Sequence, residues 1–569
     1  MNAKLKTGLV FLLALLWAAC AAGTSEEASA VRFLIGGTET ILPWEDQETD
    51  CAYVFLPSWA EMGSLQIQFP EDHDVQIGEE PLISGSDCAS FETDRMYSLS
   101  ADGIRSGHMM FLKTDHVAAL FLTTGDGAMD AVHADKNHGE KVRAALYTAD
   151  GELNYQSVSG DEIKGRGHST WHLEKKPYNL KLKRAASLLG MTPARKWSLL
   201  ANGFDESSLR TKTVLDAARS IAPYDGFAPE CAYVDVYLNG LYNGLYLMCR
   251  SRKDTASLFL NGTEPDGFEI ELTTDYKTDD GNETVEISMT SMVQIHEPSP
   301  TTDEQYETLE SLLGGLEVWM FSRSSGSSNP PVDLESWARK ILVEAVFDNY
   351  DGTKSSQFFW GSLKDRILFA GPCWDYDLTM GVYYGIPWST AHAFMAFNDW
   401  NEGEDLSWYH GLWEKPEIRD LALSIYQEEF REVLQSLPDR KIPEEAAAIA
   451  ASAEMDRIRW PGLRSRYGSF SEAVQAVTDF LRERLAFLDD IWLARSEYHR
   501  ITMKLPEGVI LNEYVPAGEV WKNVPEPWQV MMEEIGEDSG AEWYRQDTDE
   551  PFDGSAPITE DMTLYVKER

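Results

Sequence analysis

Cysteine and positive charge are both scarce in this sequence. Its 569 residues include six cysteines, whose spacing matches no common zinc-ligand pattern. Cys51 with Cys88, and Cys231 with Cys249, can either pair as disulfides or be buried as small apolar thiols. Lys and Arg number 49 against 94 Asp and Glu, which gives a formal net charge of −45. A phosphate backbone is repelled by so acidic a chain, so nucleic acid is excluded as a partner.

The first 22 residues have the composition of a cleavable signal peptide. A short basic region precedes an apolar run over Leu9–Trp17, and small residues follow. Cys20 stands after two alanines, as in a lipoprotein box, where the Cys is lipidated and becomes the mature N-terminus. Cleavage after Ala21 is the alternative. No later apolar run is long enough to span a bilayer, so we expect an extracellular protein, anchored to a membrane through lipid at Cys20 or held at the cell surface.

The remaining chain divides into three regions by pattern, and the predicted fold class is α+β. Residues 30–115 alternate short apolar runs with turn residues, which is typical of a small β-domain. Residues 117–495 mix strand and helix patterns and form the largest region. Residues 500–569 end in "FDGSAPITEDMTLYVKER", which resembles the last strands of the β-grasp cell-wall repeat of internalin-like surface proteins. An ordinary small β-domain is the alternative for this last region.

Two local structures in the central region follow from pattern alone. "CAYVDVYLNGLYNGLYLMC" predicts a β-hairpin, because Asn239-Gly240 supplies the positive φ angles of a tight turn between flanks rich in Tyr, Val and Leu. Residues 334–347 predict a helix, because apolar residues recur there at 3.6-residue spacing and Asp333 can cap its N-terminus.

Positive charge is concentrated in one stretch, against the overall balance. Residues 164–196 contain nine Lys and Arg and a single acid, Glu174, which gives a local charge of +8. A solvated basic face is the usual meaning of such a run. In so acidic a chain, the binding of a small polyanionic ligand, such as a phosphate group, explains this concentration of positive charge better. No GxxxxGK[ST] sequence is present, so the stretch is not a Walker loop.

Within this stretch, "KKPYNLKLKR" predicts a strand with its apolar residues facing one way and Asn179, Lys181 and Lys183 facing the other. A lysine fixed on a strand provides a point charge for phosphate oxygens. Just before the strand, "GRGHSTW" places Arg166 and Ser169 in a glycine-containing turn. Turns of this kind can also direct backbone N–H groups at a phosphate.

Acidic side chains form a second group of candidates. Asp351 follows the predicted helix, a hairpin over "QFFWGSLKDRILFAGPCWDYD" comes next, and Asp375 lies 24 residues after Asp351. Many phosphoryl-transfer sites have this order, in which one carboxylate receives the hydroxyl proton and the next binds the metal. If the stretch is extended, Asp375 and Asp377 point to the same face, where like charges repel unless one is protonated or a cation lies between them. Such oxygen ligands suit Mg²⁺ or Mn²⁺.

Three blocks of the chain resemble the signature of the CotH-type spore-coat protein kinase family. They are "IKGRGHSTWHLEKKPYNLKLKR", "YVDVYLNGLYNGLYL" and "LFAGPCWDYDLTMG", in the family's order, within residues 117–495. The resemblance implies an atypical protein-kinase-like core, here flanked by small β-domains at both ends. It also implies ATP and a divalent metal as cofactors, and transfer of phosphate to Ser or Thr of cell-surface or spore-coat proteins.

The resemblance assigns roles to six residues. Three would bind the phosphates of ATP: Lys181, with Arg166 and Ser169 lining the same cradle. Three would act where phosphate is transferred: Asp351 as the catalytic acid/base, Asp375 as a metal ligand, and Asp377 in support of it.

Two departures from the family pattern keep a non-catalytic alternative open. The family usually has an Asn five residues after the catalytic Asp, where this chain has Ser356, followed by Gln357. It often has an acid where this chain has Arg250. A pseudokinase that acts as a cell-surface binding or adhesion protein is therefore the alternative function. A carbohydrate-active enzyme with Asp351 and Asp375 as its acid/base pair is a third interpretation, but neutral sugars do not need the basic stretch.

Overall fold

The computed structural model describes residues 31–158, 160–255, 266–273, 283–286, 292–322, 330–353, 355–382, 391–398, 406–463, 466–505, 510–522, 524–525, 527, 541–552 and 554–567. The chain forms two compact units. The first contains Met1–Gly203, Tyr233–Met248 and Ala448–Leu463, and the second contains Phe204–Ala232, Cys249–Ala447 and Arg464–Arg569. The predicted signal peptide, with Cys20, lies outside the described residues.

The N-terminal part of the first unit consists of two small sheets. Its strands are β1 Arg32–Ile35, β2 Glu39–Ile41, β3 Trp44–Asp46, β4 Cys51–Leu56, β5 Gln66–Gln68, β6 Val75–Ile77, β7 Glu80–Pro81, β8 Met96–Ala101 and β9 His108–Lys113. They form a three-stranded sheet in the order β2-β1-β5 and a six-stranded sheet in the order β3-β4-β9-β8-β6-β7. β4 is buried along its whole length, because it lies between β3 and β9 and contributes apolar side chains to the core of this region.

The next strands form an eight-stranded sheet. They are β10 Ala118–Thr124, β11 Glu140–Tyr147, β12 Leu153–Gln156, β13 Asp161–Gly165, β14 Tyr178–Ala186, β15 Ala194–Leu200, β16 Cys231–Leu238 and β17 Leu241–Arg250. Their order is β10-β16-β17-β15-β14-β13-β11-β12, and a further pairing of β10 with β11 closes seven of the strands into a ring. The predicted alternation of β14 is confirmed, because Leu180 and Leu182 are buried while Lys181 and Lys183 are exposed.

The second unit contains two further sheets. Their strands are β18 Gly267–Thr273, β19 Thr284–Val285, β20 Met292–Glu297, β21 Gln357–Ser362, β22 Ile367–Ala370, β23 Tyr498–Lys504, β24 Ile510–Pro516, β25 Glu542–Arg545 and β26 Met562–Lys567. The five-stranded sheet has the order β19-β20-β18-β21-β22, and the C-terminal sheet has the order β24-β23-β26-β25. The core of the C-terminal sheet includes Tyr350 and Leu378, so this sheet packs directly against the segments that carry the predicted acidic residues.

The described α-helices are short or of medium length. They are α1 Asp130–Ala134, α2 Arg210–Ser220, α3 Asp303–Phe321, α4 Leu334–Val346, α5 Trp408–Trp413, α6 Pro416–Ile425, α7 Arg431–Ser436, α8 Ile442–Arg459 and α9 Phe470–Leu488. The mixed helix and strand content confirms the predicted α+β class. None of these helices, within the part of the chain that is described, has both the length and the hydropathy of a bilayer-spanning segment.

The two local predictions are confirmed. Asn239 and Gly240 both have positive φ angles, 52° and 88°, and connect β16 to β17. The side chain of Asp333 caps α4 by accepting a hydrogen bond from Ser336 N at 2.8 Å. Trp337 on the apolar face of this helix stacks on Phe359 of β21, with ring centroids 4.7 Å apart, and this contact fixes the helix against the hairpin that precedes Asp375.

The described cysteines are free thiols. Cys51, Cys88, Cys249 and Cys373 are buried and Cys231 is half-buried. Burial raises the pKa of Cys88 to about 12, which makes its thiolate, and hence its reactivity, unfavourable. Of the two alternatives raised by the sequence, burial as thiols is therefore the one found.

Candidate functional site

Two loops of the second unit run side by side. The loop after α4 carries Asp351, and the loop after β22 carries Asp375 and Asp377. The backbone amide of Tyr350 donates to the carbonyl of Leu378 at 3.2 Å, which joins the loops next to the acidic side chains. The predicted hairpin, β21–β22, separates the loops in sequence, and Ser362 pairs with Ile367 next to its turn.

Asp377 is the centre of a cluster of carboxylates. Its pKa is raised well above its usual range, first by burial and then by repulsion from Asp375, Asp351 and Asp205. Carboxylates held this close are stable only when a proton or a cation offsets their charge. The arrangement therefore has the electrostatic character of a cation site.

The donor chemistry of this cluster fits a divalent ion that arrives with a nucleotide. Among the described residues, no three His, Cys, Asp or Glu side chains form a ready-made metal site. Mg²⁺ does not require one, because it is commonly held by one or two carboxylates together with phosphate and water oxygens. Asp375 and Asp377 can supply these carboxylates.

Asp375 does not lie in an extended stretch. Strand β22 ends at Ala370, and Asp375 has a φ of 67°, in the left-handed region. Asp375 and Asp377 therefore do not lie on one face of an extended strand, although the two carboxylates are close enough to repel each other. A non-glycine residue at positive φ carries a conformational cost and is held there by its surroundings.

Ser356 contacts one of the acidic residues directly. Its hydroxyl donates to Asp375 Oδ2 at 3.0 Å. The neighbouring Gln357 is fully buried and engaged elsewhere, since its amide oxygen accepts from the Tyr409 hydroxyl at 2.7 Å and its amide nitrogen donates to the carbonyl of Ser355 at 3.3 Å. Of these two neighbours, Ser356 is thus the one whose side chain forms a hydrogen bond with the acid cluster.

The structure adds a buried pair that the sequence reasoning did not assign. Asp205 accepts from Arg210 Nη1 at 2.6 Å and from the backbone amide of Arg210 at 2.8 Å. The guanidinium of Arg210 also donates to the carbonyls of Thr379 and Met380, at 3.0 and 3.3 Å. Both side chains are 1% exposed. The pair fixes the loop immediately after Asp377. Its only sequence signal is the position of Asp205, shortly before a helix that begins at Arg210.

A second buried network supports both loops from below. Glu344 on α4 forms an ion pair with Lys340 at 2.7 Å and accepts from the Tyr376 hydroxyl at 2.7 Å. Its other oxygen accepts from Asn349 Nδ2 at 2.6 Å, and Asn349 Oδ1 in turn accepts from the backbone amide of Asp351 at 3.2 Å. These four supporting side chains, Lys340, Glu344, Asn349 and Tyr376, are fully buried. One carboxylate therefore connects the Asp351 loop to the residue between Asp375 and Asp377.

The predicted phosphate-binding residues lie in the first unit. Lys181 is exposed on β14, opposite Glu162 on one side and Lys196 on the other. Arg166 is half-buried just after β13, and its backbone amide donates to the carbonyl of Pro177 at 3.2 Å. Ser169 is exposed at the start of a 3₁₀ turn, Ser169–His172. Each of these side chains occupies a position from which it can meet a ligand.

Two of the nine bases in the predicted basic stretch have structural roles instead. Lys175 is fully buried, paired with Asp456 at 2.6 Å and donating to the carbonyl of Leu245 at 2.5 Å. Lys176 donates to the carbonyls of Trp171 and Leu173, both at 2.9 Å, and burial lowers its pKa. The stretch is therefore not one continuous ligand-binding surface.

The protein-family model of the CotH kinase protein matches residues 163–488 of the chain. This is more than half of the chain. The chain belongs to the CotH kinase family. A search of curated proteins finds no match.

The CotH match begins in β13 and ends with the last residue of α9. It includes all six residues to which the resemblance gave roles, and it identifies the protein as kinase-like. The C-terminal sheet, β23 to β26, follows the matched region, so its likeness to an internalin-type repeat stays a prediction.

The two departures from the CotH pattern have different structural consequences. Ser356 keeps a polar contact with Asp375, so the position still serves the acid cluster. Arg250 is buried, and its pKa is lowered by desolvation although Asp254 and Glu230 act in the opposite direction. An acid at that position has thus been replaced by a buried cation.

Proposed function

We propose that this protein is an extracellular, ATP- and metal-dependent atypical kinase that phosphorylates Ser or Thr of cell-surface or spore-coat proteins. The observation that carries the proposal is that Asp351 and Asp375 lie close enough to the buried Asp377 to help raise its pKa, in a chain of the CotH kinase family. Phosphoryl transfer needs a proton acceptor and a cation next to each other, and these three carboxylates can provide both.

Each residue has a distinct role in this proposal. Asp351 accepts the proton of the attacking hydroxyl, whose oxygen bonds to the γ-phosphorus as the bond to ADP breaks. Asp375 and Asp377 hold Mg²⁺ or Mn²⁺, which when bound neutralises charge on the phosphates. Ser356 fixes Asp375 by the hydrogen bond described above. Lys181, Arg166 and Ser169 bind phosphate oxygens of ATP, as the CotH resemblance implies.

An assay with γ-labelled ATP tests the proposal. Wild-type protein is expected to label itself or Ser-containing peptides, and Asp375→Ala and Lys181→Ala are expected to abolish labelling. Asp365→Ala and Lys183→Ala are matched controls, because both residues are exposed, Asp365 in the β21–β22 turn and Lys183 on the same strand as Lys181. These controls should keep full activity.

The alternative is a pseudokinase that binds partners at the cell surface, and the Ser356 and Arg250 substitutions favour it. A ligand that binds only the folded state raises its melting temperature. A rise with Mg-ATP but no transfer of label would therefore support the pseudokinase. No rise and no transfer would support an adhesion protein that retains only the fold.

Surface attachment through lipid at Cys20 is part of the same proposal. We expect the full-length protein to appear in the membrane fraction of the producing cell and the Cys20→Ala variant to appear in the medium. Equal release of both proteins would favour ordinary signal cleavage after Ala21.

A further inference from the structure

The second unit contains a cleft that does not include the acid cluster. Its volume is about 850 Å³, within the range of specific ligand sites. One wall consists of residues from the helical region, Phe394, Phe397, Trp413 and Trp492. The facing wall is the outer face of the C-terminal sheet, Arg500, Thr502, Asn512 and Tyr514. The cleft therefore lies where the C-terminal sheet meets the helices.

The aromatic wall is a packed apolar surface, in which Phe394 and Trp492 are buried and Phe397 and Trp413 are half-buried. Its four rings contact one another in a closed circuit, with centroids 5.4 Å apart for Phe394 and Phe397, 5.3 Å for Phe397 and Trp413, 5.5 Å for Trp413 and Trp492, and 5.8 Å for Phe394 and Trp492. Because the rings stack on each other, they do not offer the open flat face on which a sugar ring lies. The exposed parts of Phe397 and Trp413 can instead pack against a single bulky apolar side chain.

The rim of the cleft carries three arginines, one of which, Arg419, is paired with Asp420 at 3.8 Å. Arg419, Arg495 and Arg500 line it, against the carboxylates of Glu414 and Asp420. Arg495 and Arg500 are exposed, and neither forms an ion pair with another residue in the described ranges. In a chain with 94 acids and 49 bases, two arginines without an ion pair beside an apolar surface indicate a ligand that carries carboxylates. Acidic residues elsewhere in the chain act weakly at this rim, because salt at 0.1 M screens the interaction between exposed charges beyond about 10 Å.

The aromatic wall of the cleft adjoins the loop that carries Asp351. Phe394 and Phe397 flank Met395 and Ala396, which are buried. Met395 N donates to Asp348 Oδ1 at 2.8 Å. A Cβ placed on Gly352 would lie 3.1 Å from the Cβ of Ala396. A segment bound in the cleft would thus be held next to the proposed catalytic loop.

We propose that this cleft docks an acidic segment of the protein substrate. One bulky apolar side chain packs on Phe397 and Trp413 of the aromatic wall, and neighbouring carboxylates pair with Arg495 and Arg500. This inference rests on the proposed function, since it assumes a protein as phosphate acceptor. It adds a substrate preference, for Ser or Thr near an acidic stretch that contains an aromatic or large aliphatic residue.

Fluorescence anisotropy without ATP tests docking separately from catalysis. The probe is a fluorescein-labelled peptide, Glu-Asp-Glu-Trp-Glu-Asp-Ser-Glu. We expect saturable binding to the full-length protein, weakened at least about tenfold by Arg500→Glu or by Arg495→Glu, since charge reversal at a rim pair costs roughly 1.4 kcal/mol or more. A peptide with Ser in place of Trp should bind as weakly. Arg105→Glu is the matched control, because Arg105 is an exposed arginine of the first unit and carries the same change of charge.

Two results would overturn the docking proposal. One is no binding, or equal binding by wild type and Arg500→Glu. The other is displacement of the probe by a polygalacturonate fragment while unlabelled peptide fails to compete, which would assign the cleft to an anionic saccharide. Neither result bears on phosphoryl transfer, which the labelled-ATP assay measures alone. If transfer occurs, Arg500→Glu should raise KM for the peptide and leave kcat unchanged.

Discussion

The hydroxyl of Tyr376 donates a hydrogen bond of 2.7 Å to the carboxylate of Glu344. Tyr376 stands between Asp375 and Asp377, so this bond places a rigid support directly beneath the two proposed metal ligands. Glu344 is also connected, through Asn349, to the backbone of Asp351. Groups that orient metal ligands from behind affect metal affinity even though they never touch the ion.

Tyr376→Phe should therefore weaken metal binding. The substitution removes one hydroxyl and leaves the Lys340–Glu344 pair in place. We expect the Kd for Mn²⁺, measured by calorimetry, to rise by about tenfold or more, as is typical for the loss of such a supporting contact. Tyr426→Phe is the control, since its buried hydroxyl also donates to a carboxylate, that of Asp489 at 2.9 Å, but away from the site. Equal Mn²⁺ affinity of wild type and Tyr376→Phe would mean that the network serves stability only.

Asp377→Asn should raise the stability of the metal-free protein at neutral and alkaline pH. Burial and three neighbouring carboxylates raise the pKa of Asp377 above its reference value of 3.8. Below pH 3.8, Asp377 is protonated in both the folded and the unfolded states, so burying it costs no stability through its charge. As pH rises, the unfolded state ionises first, so the wild type loses stability until pH passes the folded pKa. The Asp377→Asn variant should not lose stability in this way, because its amide does not ionise.

Thermal melts at pH 5 and pH 8, with and without Mn²⁺, measure this effect. In wild type, Mn²⁺ should stabilise more at pH 8, because the ion must displace the proton at low pH. In Asp377→Asn this stabilisation should largely disappear. Asp365→Asn, an exposed acid in a turn, should behave as wild type. A variant less stable than wild type at pH 8 without metal would contradict the electrostatic account.

Ser356→Asn should increase metal affinity and the rate of phosphate transfer. Ser356 has a φ of 57°, a conformation that Asn tolerates better than most residues, so backbone strain should not oppose the change. The amide restores the residue that the CotH pattern usually has at this position and offers a carbonyl oxygen to the ion. Ser356→Ala, which loses the bond to Asp375, should change both quantities in the opposite direction. Reduced Mn²⁺ affinity in both variants would show that the site is adapted to Ser.

Features encoded by neighbouring residues could be predicted from the sequence. The Asn239-Gly240 turn, the Asp333 cap and the alternation of β14 each depend on a few adjacent side chains. The proximity of Asp351 to Asp375 and Asp377 follows in the same way, because one short hairpin returns the chain to the end of α4. The left-handed conformation of Asp375 could not be predicted, since the loop around it has no repeating pattern.

Contacts between distant parts of the chain escaped prediction. Arg210 binds carbonyls that lie 169 and 170 residues further along, and nothing in the local sequence indicates such partners. Lys340 and Glu344 occupy the polar stripe of α4, which pattern assigns to solvent, yet both are fully buried. Lys175 belongs to the basic stretch that the sequence predicts to bind a ligand, but its ammonium pairs with Asp456, which is remote in sequence. Polar groups buried in networks have the same sequence signature as solvated ones.

The first unit has its own buried acid. Asp235, on β16, is fully buried, and its pKa is raised to about 7, chiefly by burial and further by Asp456. Hydrogen bonds from Tyr242 at 2.8 Å and Ser452 at 2.7 Å oppose this shift only in part. Because the reference value is 3.8, the unfolded chain loses this proton at lower pH than the folded chain. The contribution of Asp235 to stability therefore falls as pH rises from about 4 to about 7 and is constant above that.

Asp235→Asn should remove this pH dependence, because the amide is neutral throughout and its oxygen can still accept from Tyr242 or Ser452. We expect the urea midpoint of wild type to fall between pH 4.5 and pH 8 relative to that of the variant, with the two curves closest at the acidic end. Asp365→Asn serves again as the exposed control and should follow wild type. Parallel curves for Asp235→Asn and wild type across this range would mean that Asp235 ionises in the folded protein as easily as in the unfolded chain, and that the hydrogen bonds from Tyr242 and Ser452 fully offset burial and the charge of Asp456.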